Sequence, residues 1–175
     1  TNSENKLKLL FVGKLSQAKG IADIFDAVTG LEKYVSLTLV GSKFDNETLE
    51  KELSKHTYLG VRPHHEILEI MREHDVLLFP SLFDGFGMVM TEAMSQGTPV
   101  IASDRSAGPD LITHGENGWL MPAGSVEAVK EILENILENR DEVERVGIAA
   151  RRTALSRPWG IYQEELIQEI KINNA

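Results

Sequence analysis

The chain contains no cysteine. That excludes a disulfide framework, a thiolate nucleophile and a cysteine-built metal site, and it fits a reducing compartment. No apolar run approaches the roughly 20 residues that a membrane-spanning helix needs. The first residues, TNSENK, carry no signal-peptide pattern and read as a polar linker or tail over 1–6, of the kind left where a longer protein is cut. The expected location is therefore cytoplasmic. Positive charge is scarce: 18 Lys and Arg stand against 27 Asp and Glu, a formal net charge of −9. A nonspecific nucleic-acid partner is disfavoured by that balance. One phosphate group held by one or two local lysines is not. The sequence also lacks a Walker A loop and a G-x-G-x-x-G turn, so neither an ATPase nor a nicotinamide-binding first turn is supported.

What is present is ordinary for a folded protein: 175 residues, 42% hydrophobic and 26% charged. One domain is expected over 7–156. Strand-like runs at 7–12 (LKLLFV), 35–40 (VSLTLV), 57–61, 76–80 (VLLFP), 99–103 (PVIAS) and 119–121 alternate with helix-like stretches. Ile21, Ile24, Phe25 and Val28 fall at helical spacing before Gly30. Further helices are expected at 46–56, 64–74, 88–95, 109–113, 141–155 and 159–172, with one after a Ser125 N-cap that carries Val129, Ile132, Leu133, Ile136 and Leu137. Alternating β and α units with doubly apolar strands imply an α/β, Rossmann-like three-layer sandwich around a mostly parallel six-stranded sheet. Ligands of such sheets bind outside the carboxyl ends of the strands.

Two loops at those ends carry the chemistry. The first, GKLSQAKG over 13–20, places Lys14 and Lys19 between a strand and a helix. Lys19 precedes the helix start, an end whose dipole is already positive, so a cation there favours an anionic guest; the alternative is a solvated surface lysine. The second, PSLFDGFGMVMTEAM over 80–94, brackets Gly85-Phe86-Gly87 with two acids, Asp84 and Glu92. A helix starting near Gly87 offers free N–H groups around Phe86, Gly87, Met88 and Val89, which suits a diphosphate. Glu92 lies about 6–8 Å further along the axis. Carboxylates accept from sugar hydroxyls better than they hold phosphate, so the pattern points to a nucleotide-sugar with a hydroxylated ring on each side of its diphosphate. Taken singly, Asp84 reads as a turn or N-cap residue and Glu92 as a solvated helix residue. The five histidines, His56, His64, His65, His74 and His114, read as surface or cap residues.

These segments resemble the C-terminal, donor-binding domain of group 1 (family 4-like) retaining glycosyltransferases, which have the GT-B fold. The family's P-S, E-G-F-G, E-A-(M/L) and G-x-P-V-I-A spacing is matched over 79–102. Its G-R-x-x-x-x-K-G loop is matched by 13–20, and its G-x-P-E-(L/I)-I and G-x-N-G elements by 107–112 and 115–118. The resemblance covers roughly 7–140. It implies that Lys14 and Lys19 contact the leaving diphosphate, that Gly13 lets it approach, and that Asp84 holds the transferred sugar. It further implies that Glu92 accepts from the ribose, that the backbone of Gly85, Phe86, Gly87, Met88 and Val89 holds sugar and phosphate oxygens, and that Leu59-Gly60-Val61 faces the base. Lys14 stands where the family has arginine, and Asp84 where it has the first glutamate of an E-x7-E motif. The D-x-D metal signature of the other major glycosyltransferase fold is absent, so no metal and no cofactor are expected beyond a nucleotide-sugar co-substrate, by default a UDP-sugar. The resemblance also implies an N-terminal acceptor domain for a saccharide or lipid-linked saccharide, peripheral contact with the inner membrane face through it, and a 157–175 helix, bearing Trp159 and Tyr162, packing toward it. The 175 residues alone are then expected to bind donor weakly without catalysis. The competing readings are a non-catalytic nucleotide-sugar-binding module and another GT-B enzyme such as a sugar-nucleotide epimerase.

Overall fold

The computed structural model describes residues 5–82 and 88–157. Six strands form one sheet: β1 (Leu7–Val12), β2 (Val35–Val40), β3 (Thr57–Gly60), β4 (Val76–Phe79), β5 (Val100–Ser103) and β6 (Trp119–Met121). Every pairing is parallel, in the order β3-β2-β1-β4-β5-β6. The register runs Leu7↔Val35 to Val12↔Val40 between β1 and β2, and Leu9↔Val76 and Leu10↔Leu77 between β1 and β4.

Seven α-helices stand among the described residues: α1 (Ile21–Val28), α2 (Glu47–Leu53), α3 (His64–Arg72), α4 (Met88–Ser95), α5 (Gly108–Leu111), α6 (Val126–Glu138) and α7 (Asp141–Ser156). Two N-caps are legible in their residue types. Asn46 accepts from Leu49 N–H and Ser125 from Ala128 N–H, each satisfying a donor that the first turn leaves unpaired. A short 3-10 turn at Gln17–Lys19, not expected from the sequence, precedes α1. The α2 helix is shorter than the 46–56 stretch suggested. It stops at Leu53 because Lys55 and His56 turn the chain into β3. The helix expected at 159–172 lies outside the described residues.

Alternate residues of each strand serve opposite faces, as a pleated strand requires. Leu7, Leu9 and Phe11 of β1 join a core with α1, α2 and α6, which also takes Val76 and Leu78 of β4. Leu10 and Val12 join the other, with Met71 of α3, Met90 and Met94 of α4, and Ala150 of α7. Leu9, Leu10, Val76 and Leu77 have no exposed surface, and each fully buried side chain of this size contributes about 2 kcal/mol. Both faces are thus covered, and ligand access is left to the sheet's edges and loops. No helix of the described residues is long and apolar enough to cross a membrane.

Candidate functional site

In this strand order the chain reverses direction of growth between β1 and β4. Open α/β sheets bind ligands at that reversal, outside the carboxyl ends of the two strands. The loop after β1 is 13–20, with both lysines. The loop after β4 leads through residue 87 into α4. The sheet therefore brings the first segment singled out from the sequence to the described start of the second, Pro80–Leu82.

Hydrogen bonds hold these loops in place. Gly13 N–H donates to Val40 O (2.9 Å) and Leu15 N–H to Ser42 O (2.9 Å), tying the first loop to the end of β2. Leu82 N–H donates to Ala18 O (2.9 Å), tying the second loop to the first. Gly20, at φ 77°, lies against Pro80: a Cβ placed on it falls 2.5 Å from Pro80 O. Ser103 Oγ donates to Ser81 O (2.5 Å), fixing the exit of β4 to that of β5. Lys14 is exposed on the β1 loop and Lys19 half-buried at the end of the 3-10 turn. Gly13 follows β1 directly. Met88 begins α4 and is 7% exposed, with Val89 half-buried beside it. Asp84, Gly85, Phe86 and Gly87 lie outside the described residues. Val61, just past β3 at the same sheet edge, is 74% exposed.

Glu92 is not a solvated helix residue. It is 8% exposed, in the second turn of α4. Burial pushes its carboxyl above the ordinary carboxylate range, and His64 partly offsets this by hydrogen bonding and charge. His64 Nε2 lies 3.0 Å from Glu92 Oε1. His64, His65 and His114 are exposed, as expected, while His56 and His74 are half-buried. His64 reaches across from the first position of α3 to the buried acid, although its own side chain stays 61% exposed. His56 is also not a bystander: half-buried, it stacks on Phe25 with ring centroids 5.6 Å apart. His114 Nδ1 accepts from Leu120 N–H, and His74 Nδ1 meets Ile70 O. No sequence signal marks His64, because 28 positions separate it from Glu92.

Beside Glu92 a cleft of about 370 Å³ opens between α3, α4 and the end of α7, lined among others by His64, Leu68, Thr91, Glu92, Leu155 and Arg157. Thr91 Oγ1 is buried there without a hydrogen-bond partner among the described residues. A second hollow, lined by Lys6, Val35, Lys55 and His56, lies at the opposite sheet edge, away from the loops described above. Among the described residues no group of three His, Asp or Glu side chains is placed to hold a metal ion.

Comparison with known proteins places the chain in a family. Residues 1–153 match the family described as glycosyl transferases group 1. The chain is 32% identical over 160 residues to a GDP-mannose-dependent alpha-mannosyltransferase of Mycobacterium tuberculosis, covering 90% of this chain and 40% of that relative. It thus spans less than half of that protein's length. Among solved structures, the C-terminal domain of a group 1 family glycosyl transferase (LpcC) from Francisella tularensis shares the fold. Its TM-score is 0.77 at 20% identity, over 86% of this chain and 85% of that one. Anabaena HepE, solved in complex with UDP-glucose, superposes with a TM-score of 0.78 at 24% identity, over 95% of this chain and 49% of that one. The six-stranded parallel sheet with helices on both faces is the Rossmann-like half of GT-B glycosyltransferases, and with the family match over 1–153 the chain belongs to the group 1 glycosyltransferases.

Proposed function

We propose that this chain is the donor-binding half of a retaining glycosyltransferase that moves a hexose from a nucleoside diphosphate to an acceptor hydroxyl. The observation that carries the proposal is the meeting of the two loops at the sheet reversal. The Lys14–Lys19 loop is fastened by Ala18 and Gly20 to the segment that enters α4, and a buried acid lies one turn into that helix. Breaking the bond between the anomeric carbon and the diphosphate builds negative charge on the leaving phosphate. Lys14, Lys19 and the N–H groups at the start of α4, around Met88 and Val89, offset that charge in a fixed arrangement and without a metal. Gly13 leaves room for the phosphates beside the β1 loop. Glu92 accepts from the ribose hydroxyls, and the exposed Val61 edge faces the base. Asp84 is assigned to the transferred sugar, and the backbone of Gly85, Phe86 and Gly87 to sugar and phosphate oxygens.

The acceptor, a saccharide or lipid-linked saccharide, binds an N-terminal domain of the whole protein. These 175 residues alone bind donor weakly and do not catalyse. The enzyme works in the cytoplasm, with any contact to the inner membrane face made through that second domain. UDP is the default carrier, and the mycobacterial relative named as GDP-mannose-dependent makes GDP the competitor to test beside it. Calorimetric titration with UDP, GDP and ADP, with and without magnesium, tests the proposal on wild type and Lys19→Ala. Metal-independent binding of one nucleoside diphosphate, lost in Lys19→Ala, is the expected result. Binding that requires magnesium, or that ignores Lys19, refutes the assignment of the charge to the loop.

A further inference from the structure

Glu92 is the buried acid of the site, and its carboxylate has one hydrogen-bond partner among the described residues, His64. Nothing on α4 itself does this work. The neighbouring Ser95 hydroxyl turns to the backbone carbonyl of Glu92, not to its side chain. A glutamate has three rotatable torsions, and a buried carboxylate without a fixed partner has no reason to keep one of them. His64 supplies that reason from another helix. It is the first residue of α3, immediately after the Gly60–Pro63 segment that leaves β3. A carboxylate has two oxygens, and Oε1 is the one His64 engages. Oε2 has no hydrogen-bond partner among the described residues.

We propose that His64 is a positioning residue for donor binding: its Nε2–H holds Oε1 of Glu92 so that Oε2 meets the ribose hydroxyls of the nucleoside diphosphate. This rests on the ribose role given to Glu92 above. The same bond also links the loop that faces the base to the acid that reads the ribose, so base and ribose recognition share one anchor. The exposure of His64 makes the test clean. With 61% of its side chain in solvent, truncation leaves no core cavity, and the change appears in binding before it appears in stability.

The experiment measures the affinity of the full protein for its preferred nucleoside diphosphate and for the 2′,3′-dideoxy form of the same nucleotide. The variants are His64→Ala, His64→Gln, Glu92→Gln and the double variant His64→Ala/Glu92→Gln. His64→Ala is expected to weaken the ribonucleotide about tenfold, the loss typical of one hydrogen bond to a charged group, and to leave the dideoxynucleotide within about twofold. His64→Gln, which can still donate, should recover most of the loss. In the Glu92→Gln background, His64→Ala should add little, because the group it positions is already altered. If Glu92→Gln affects both nucleotides equally, the ribose role of Glu92 is wrong and the inference falls with it. If Glu92→Gln is selective for the ribonucleotide while His64→Ala leaves binding unchanged or tightens it, the ribose role stands and the positioning role of His64 is overturned.

Discussion

Gly20 joins the lysine loop to the β4 exit, and its replacement by alanine has a cost that can be worked from the structure. Two terms add. Gly20 sits at φ 77°, where a Cβ costs about 1–2 kcal/mol in any surroundings. The same Cβ would lie 2.5 Å from Pro80 O and 2.9 Å from Pro80 Cγ. Neither atom can step aside as the tip of a flexible side chain would, because one is backbone and the other belongs to a ring that locks the backbone. The loop must move instead, at a further cost of about 1–3 kcal/mol. The sum is about 2–5 kcal/mol, or roughly 5–15 °C in Tm for a domain of this size. Gly97 is the matched control. Its φ is 81°, but a Cβ there meets nothing within 4 Å, so Gly97→Ala should lose only the strain term, about 1–2 kcal/mol. Thermal unfolding separates the two variants, and titration with a nucleoside diphosphate adds the functional half. Gly20→Ala should weaken binding because the displaced loop carries Lys19, while Gly97→Ala should bind as wild type. Equal losses of Tm in both, with unchanged affinity in both, would refute the idea that the Gly20–Pro80 approach sets the loop.

Other substitutions test single groups. Lys14→Arg should tighten nucleoside diphosphate binding by about threefold, since a guanidinium fork can hold two phosphate oxygens where an ammonium acts as a point charge; a titration at fixed ionic strength reads it, and weaker binding would place Lys14 away from the phosphates. Burial holds His56 below its ordinary value of 6.5. The folded protein therefore takes up a proton less readily than the unfolded chain, and stability present above about pH 6.5 is lost as the pH falls below it. Urea unfolding at about pH 7.5 and 5.5 should show that loss, and His56→Phe, which keeps a ring against Phe25, should reduce it. Glu92 behaves in the opposite sense. Its carboxyl is raised above 4.5, chiefly by burial, so its contribution favours folding at low pH and declines as the pH rises through the folded-state value. Glu92→Gln should then raise Tm at neutral pH while it weakens ribonucleotide binding, and a variant that loses both would mean that the His64 contact outweighs the burial of charge.

The parts of this molecule legible in its sequence are those set by neighbours along the chain. LKLLFV reads as a doubly buried strand because Leu9 and Leu10 are both apolar, and in the fold they serve opposite cores. Ser125 reads as a cap because an N-cap needs only a short side chain and the next turn, whereas Asn46, expected as the first helical residue, is a cap instead. The lysine loop and the run into α4 were visible as fixed spacings around glycines. Pairing between distant strands was not. No local feature says that β1 lies beside β4 instead of β3, yet that adjacency makes the reversal and brings the loop at 13–20 to Pro80 and Leu82 at the β4 exit. The same holds for the contacts that give the site its order. Gly20 meets Pro80 across 60 positions, Leu82 meets Ala18 across 64, and His64 meets Glu92 across 28. A histidine at the start of a helix looks in sequence like a surface residue, and His64 is one by exposure. Its contact with an acid buried in another helix depends on how α3 and α4 lie together, a property of the packed layers and not of either segment. The types of residue a donor site needs can thus be read locally, while the arrangement that would make them act together is written in the order of the strands.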